Sequence, residues 1–127
     1  MNNTQKLFEL AQASFQNAHC PYSNFAVGAA ILGDNGKFYS GCNVENVSYP
    51  EGTCAESGAI AAMINDGGKK IAEILILGNG KELITPCGGC RQRICEFATP
   101  STLIHLADMS GIVETLKIDD LLPHSFK

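Results

Sequence analysis

Short apolar runs alternate with helix-period stretches along this 127-residue chain, and that alternation restricts the folds open to it. Leu7, Leu10, Ala11, Phe15 and Ala18 recur at helical spacing and predict a helix from Thr4 to about His19, ended by Pro21. AVGAAILG (26–33) and KFYSGCNV (37–44) read as strands around Asp-Asn-Gly, a hairpin signal. The small residues Gly28, Ala29 and Ala30 predict a strand that a helix covers closely. CAESGAIAAMIND (54–66) predicts a helix closed by Gly67 and Gly68, and IAEILILGN (71–79) a strand between glycines. A further helix is expected from about Cys87 to Phe97, then a strand over 102–108, a weaker one over 113–118, and a last helical turn at DDLLP. This order predicts an α/β fold, a sheet between helical layers with its later strands parallel. With no repeat, linker or low-complexity segment, one domain over residues 1–127 is the expectation.

Charge narrows the partners. The formal net charge is −4 and no run of Lys or Arg stands out, so a sequence-independent grip on nucleic-acid polymer is not expected. A small neutral or cationic ligand suits this balance. No stretch approaches the ~20 apolar residues of a membrane span, and MNNTQKLFEL, with no basic n-region before an apolar run, is not expected to act as a signal peptide. The expected location is the cytoplasm, where thiols stay reduced. The six cysteines are then read through metal binding or catalysis rather than disulfides.

Cys87 and Cys90 have the C-x-x-C spacing that lets two thiols reach one metal ion, although a redox pair uses it too. Cys54, opening another predicted helix, favours the metal. Cys20, Cys42 and Cys95 lack ligand-like spacing and read as small buried thiols. His19, His105 and His124 are isolated, each better read as structural or surface. Three protein ligands are the mark of a catalytic zinc site, which leaves a fourth position for water. Glu56 has two readings. Thr53 and Glu56 have the form of a capping box, with the glutamate reaching back to the helix start. Alternatively, Glu56 diverges by about 200° from Cys54 around the helix. It then cannot share the ion but can lean toward the water and move its proton. Zinc with three thiolates is formally −1. The offsets to hand are two helix N-termini, at Cys54 and Cys87, and Arg91 beside Cys90.

C-A-E followed about 30 residues later by P-C-x-x-C resembles the zinc-dependent deaminases, and the pattern with its chemistry is the superfamily's own. The three-cysteine form is similar to the small homotetrameric cytidine deaminases. YSNFAVGAAI, GCNVENVSYPEGTCAE, PCGGCRQ and the closing LLPHSF fit that family in order. The resemblance implies a three-layer α-β-α sandwich with a mixed sheet of about five strands. It implies hydrolysis of cytidine and 2′-deoxycytidine to the uridines plus ammonia, in pyrimidine salvage. Cys54, Cys87 and Cys90 would hold Zn²⁺, and Glu56 would carry a proton from water to pyrimidine N3 and then to the leaving amine. Phe25 would pack on the base, and Asn43 and Glu45 would bond the ribose, especially its 3′-hydroxyl. The Ala55 N–H and Thr85 carbonyl would read the base edge. Phe126 would enter a neighbouring subunit's site, with Tyr49 near an interface and Arg91 beside the ligands. Relatives commonly carry Arg after the C-A-E glutamate, whereas Ser57 stands here. The alternatives are a deaminase of a cytosine-bearing antibiotic of the blasticidin S type, whose members lack the full N-V-E-N loop and the Phe of FAVGAA, and a non-catalytic zinc or redox module.

Overall fold

A computed structural model of the chain describes residues 1–79 and 83–126. The elements run α1 (Asn3–Gln16), β1 (Val27–Gly33), β2 (Phe38–Cys42), α2 (Ala55–Asn65), β3 (Ile71–Gly78), α3 (Gly88–Phe97), β4 (Ala98–Asp108), β5 (Gly111–Leu116) and α4 (Ile118–Leu121), with a 3-10 turn at Tyr49–Glu51. The strands form one mixed sheet in the order β2-β1-β3-β4-β5. Only β3 and β4 pair in parallel, joined through α3; the other neighbours are antiparallel. The expectation of parallel later strands therefore holds for β3 and β4 and fails for β5. A tight turn at Met109–Ser110 sends β5 straight back along β4, helped by Gly111 at φ +128°.

Alternation along the strands sorts side chains to two cores. Ala30, Leu75, Leu77 and Ala107 face α1, meeting Leu7 and Ala11. Ala29, Ile31, Ile74, Ile76, Ile104 and Leu106 face the other way, onto Ala55, Ala59 and Met63 of α2, Ile94 of α3, and Ile118 and Leu121 of α4. The result is the three-layer sandwich. Each fully buried Ile or Leu stabilises it by about 1.5–3 kcal/mol, so this central sheet is a rigid base for the loops above it.

Strand β2 ends at Cys42 rather than 44 and β5 spans Gly111–Leu116 rather than 113–118, and two larger shifts have a clear cause. Helix α1 stops at Gln16, short of His19, because the next residues pair elsewhere: the His19 N–H donates to Asn43 O at 3.0 Å and Glu45 N–H to His19 O at 2.7 Å. Strand β4 starts at Ala98 rather than 102, paired with Ile71, and the Thr102 hydroxyl donates to Ile71 O at 2.6 Å. His105 is buried as a structural residue, between Glu73 at 2.8 Å and Thr115 at 2.9 Å.

Glycines set how closely helices approach the hairpin. A Cβ on Gly28 would lie 2.1 Å from Ala11 O, which accounts for the small residues of β1 beneath α1. A Cβ on Gly41 would lie 2.6 Å from Ala59 N and 2.7 Å from Ala55 O, both backbone atoms of α2. Gly41→Ala is therefore expected to push α2 off β2 and destabilise the chain by about 1–3 kcal/mol. Because Cys54, an expected metal ligand, directly precedes the first turn that must move, the substitution should also weaken metal binding. Urea unfolding and metal titration of the variant check this; a variant of unchanged stability would show that α2 can shift freely.

Candidate active site

Helices α2 and α3 aim their N-termini at one spot. Cys54 is the N-cap of α2 and Cys87 the N-cap of α3. The Cys87 Sγ accepts the Cys90 N–H at 3.4 Å and lies 3.9 Å from the Cys54 Sγ. The three sulfurs of Cys54, Cys87 and Cys90 all lie within 4.8 Å of one another, and among the described residues this is the group placed to hold a metal. Tetrahedral zinc with Zn–S bonds of ~2.3 Å separates its sulfurs by about 3.8 Å, so the trio fits a zinc ion after small side-chain adjustments. Cys90 is buried, Cys54 half-buried and Cys87 exposed, so the cluster opens on one side only. All six cysteines are free.

Glu56 is 4% exposed and lies one residue into the first turn after Ala55, on the rim of the same cleft. It does not cap the helix. Thr53 is drawn instead into a pair with Val44, whose N–H and C=O both bond Thr53 at 2.9 Å, and this shifts the N-cap to Cys54. With the capping box absent, the carboxylate has no helix-end task. Burial pushes its pKa above the usual carboxylate range, against its own N–H, the Cys90 thiol and the Arg93 charge, which pull it down.

In the metal-free cluster, burial likewise raises the Cys54 and Cys90 thiols. For Cys87 burial is outweighed by the Cys90 N–H and the neighbouring thiols, and the result is a lowered pKa. The thiol most ready to ionise is thus the exposed one at a helix N-terminus.

A cleft of about 320 Å³ opens beside the sulfurs, within the ~300–1,000 Å³ range of small-molecule sites. Phe25, Asn43, Glu45, Ala55, Glu56 and Thr85 all line it with Cys54 and Cys87. Asn43 is fixed by its neighbours: Oδ1 accepts the Val27 N–H and Nδ2 donates to Phe25 O, both at 2.8 Å. The amide keeps one N–H and one lone pair for a ligand. Glu45 accepts from the N–H groups of Tyr22 and Ser23 at 3.0 and 3.1 Å, and from the Ser23 hydroxyl. The hydroxyl bond leads in holding its pKa below the usual range, so it is a standing acceptor.

Other expected residues lie elsewhere. Tyr49 lines an adjoining cleft with Tyr22, Ser23 and Glu45. Phe126 is 85% exposed and outside the cleft of its own chain; its carbonyl accepts from Gln92 Nε2 at 3.0 Å. Arg91 does not supply the cation at the sulfurs. Its Nε donates to Pro86 O and its Nη1 to Leu121 O, both at 2.9 Å, which ties the loop before Cys87 to α4. The guanidinium that reaches a sulfur is that of Arg93, with Nη1 3.6 Å from Cys90 Sγ. Ser23 and Arg93 are the residues that sequence reasoning missed. For Arg93 a signal existed: it stands three residues after Cys90 on a helix, the spacing at which side chains meet, whereas Arg91 stands only one residue after it.

Residues 1–106 match the family model described as the cytidine and deoxycytidylate deaminase zinc-binding region. A cytidine deaminase of Sporosarcina psychrophila is 35% identical over 124 residues, covering 98% of this chain and 91% of that protein. The crystal structure of cytidine deaminase from Burkholderia pseudomallei superposes with a TM-score of 0.91 at 40% identity, over 99% of this chain and 100% of the other. That from Mycobacterium tuberculosis gives 0.84 at 35% identity, over 100% and 99%. A three-thiol site at two helix N-termini, a buried carboxylate beside it and this breadth of likeness lead to one conclusion: the chain belongs to the cytidine and deoxycytidylate deaminase family.

Proposed function

We propose that residues 1–127 form one domain that hydrolyses cytidine and 2′-deoxycytidine to the corresponding uridines and ammonia, with Zn²⁺ held by Cys54, Cys87 and Cys90. The observation that carries this is the meeting of three thiols, the buried Glu56 and the anchored Asn43 and Glu45 around one cleft. When bound, zinc supplies the Lewis acidity that makes a water nucleophilic near neutral pH. Glu56, shielded from solvent, takes the water's first proton and gives it to N3 as the C–O bond forms at C4. It then takes the proton of the added hydroxyl and passes it to the amine, so that the C–N bond breaks, ammonia leaves and the C4 carbonyl remains. Phe25 covers one face of the base, and the Ala55 N–H and Thr85 carbonyl fix its edge. Asn43 and Glu45 bond the sugar, and a contact at the 3′-hydroxyl serves ribose and deoxyribose alike. A redox pair at Cys87 and Cys90 gives no use for the third thiol. An antibiotic-specific deaminase gives none for the sugar loop.

The test compares cytidine, 2′-deoxycytidine and free cytosine, followed by loss of cytosine absorbance. Both nucleosides are expected to turn over, with free cytosine far slower. Equal turnover of the free base would contradict the sugar-binding role of Asn43 and Glu45.

The acidic balance supports a small nucleoside as substrate rather than a nucleic-acid polymer. Among the described residues no helix is long and apolar enough to cross a membrane. A reducing cytoplasm suits a site that works through free thiols. A homotetramer with shared sites is part of the same proposal, supported by exposed Val47, Tyr49 and Phe126, 80%, 75% and 85% accessible in the single chain. If Phe126 packs on a neighbour's substrate, its loss removes a stacking contact worth roughly 1–3 kcal/mol. Deleting residues 126–127 should then lower kcat/KM about tenfold or more, and light scattering of the intact protein should give a tetramer. A monomer, or unchanged kinetics, would remove the shared-site idea.

A further inference from the structure

We propose that Arg93 is a positioning residue of the metal site, neutralising the charge of the thiolate cluster through Cys90. The inference rests on reading the three cysteines as zinc ligands. Its geometry stands on two observations. The Arg93 Nη1 lies 3.6 Å from the buried Cys90 Sγ, within hydrogen-bond reach of sulfur. The guanidinium also lies against Gly89, where a Cβ would be 3.2 Å from Nη1 and 3.7 Å from both Cζ and Nη2. The second glycine of C-G-G-C therefore makes the seat that brings the cation down onto the ligand turn.

The placement runs against the helix. Arg93 folds back toward the N-terminus of α3, where the macrodipole disfavours a positive charge. Once the cysteines ligate zinc their sulfurs are thiolates, and these anions offset the cost of a cation at that end. Among the described residues Arg93 makes no ion pair with a carboxylate within 4 Å, and its side-chain hydrogen bond goes to the Cys90 sulfur. A divalent ion with three thiolates is formally −1, and Arg93 brings the sum to zero. Ser57 is neutral and Arg91 is spent on Pro86 and Leu121, so neither does this. An arginine at this place on a helix reaches residues three and four back as a matter of course, so what the variants below test is its charge.

The consequence is an effect on the metal that does not pass through substrate. A cation at a ligating sulfur stabilises the anionic loaded cluster and lowers the energy of the sulfur electrons. Arg93→Gln removes the charge, and Arg93→Lys keeps it. The experiment measures zinc affinity by chelator competition and the thiolate-to-cobalt charge-transfer band of the cobalt-substituted protein. For Arg93→Gln the expected results are a loss of affinity of about 10–100-fold, the usual effect of losing a partner behind a ligand, and a band moved to longer wavelength. Arg93→Lys should recover most of both. Unchanged affinity and band in a folded Arg93→Gln protein would overturn the inference. So would a lower Tm of the metal-free variant with the band unmoved, since that marks a helix-packing role. A wild-type protein that binds no zinc would instead overturn the metal reading itself, and this inference with it.

Discussion

Glu56→Gln is expected to lower kcat for cytidine by about 10²–10⁴-fold, the contribution of a positioned acid–base group, while zinc content stays unchanged. Glutamine fills the same volume and keeps a hydrogen-bonding tip, but it cannot carry a proton. Glu56 stands outside the group that can hold the metal, which contains sulfurs only. It caps no helix, so the fold does not need its charge. The pH dependence has a defined sign. Burial raises the folded pKa of Glu56, so the residue contributes most to stability when protonated. That contribution is lost as pH rises through the raised value. Gln does not titrate, and the metal-free variant should be at least as stable as wild type at neutral pH, with the difference closing in acid. Thermal unfolding across pH and metal analysis check both halves. A fully active variant would return Glu56 to a structural role. An inactive variant that has also lost its zinc would show that the carboxylate serves the metal rather than the proton.

Cys90→Ala should be as damaging for a different reason. Cys90 is fully buried in the first turn of α3, and its thiol completes the trio from below. With two ligands left, zinc is not retained, and deamination should fall to background, a loss at least as large as that of Glu56→Gln. The fold itself should survive, since the lost burial of one small side-chain atom costs about 1 kcal/mol. Metal content by mass spectrometry, beside activity and circular dichroism, separates the two effects. A Cys90→Ala protein that keeps stoichiometric zinc and full activity would exclude Cys90 as a ligand.

What could be read from the residues alone follows their physical range. The grouping of Cys54, Cys87 and Cys90 was legible because it is written in local spacing at two helix starts. The strands at 27–33 and 71–78 were legible because Ala29–Ile31 and Ile74–Leu77 are apolar on both faces, as a sheet covered by helices on both sides requires. What failed depended on pairing between distant segments. Thr53 looked like a helix cap until Val44 claimed its backbone. The segment after Gln16 looked helical until His19 paired beside Asn43. The direction of β5 turned on two residues at a turn. Closeness in sequence pointed to Arg91 beside Cys90, but its guanidinium bonds Pro86 and Leu121, and it is Arg93, in helical phase with Cys90, whose guanidinium meets the sulfur.

The most direct test incubates the zinc-loaded chain with cytidine and quantifies uridine and ammonia. The expected result is one uridine and one ammonia for each cytidine lost, with the reaction abolished by removing the metal and restored by returning it. A folded, zinc-loaded protein that leaves cytidine and 2′-deoxycytidine unchanged would contradict the proposed activity.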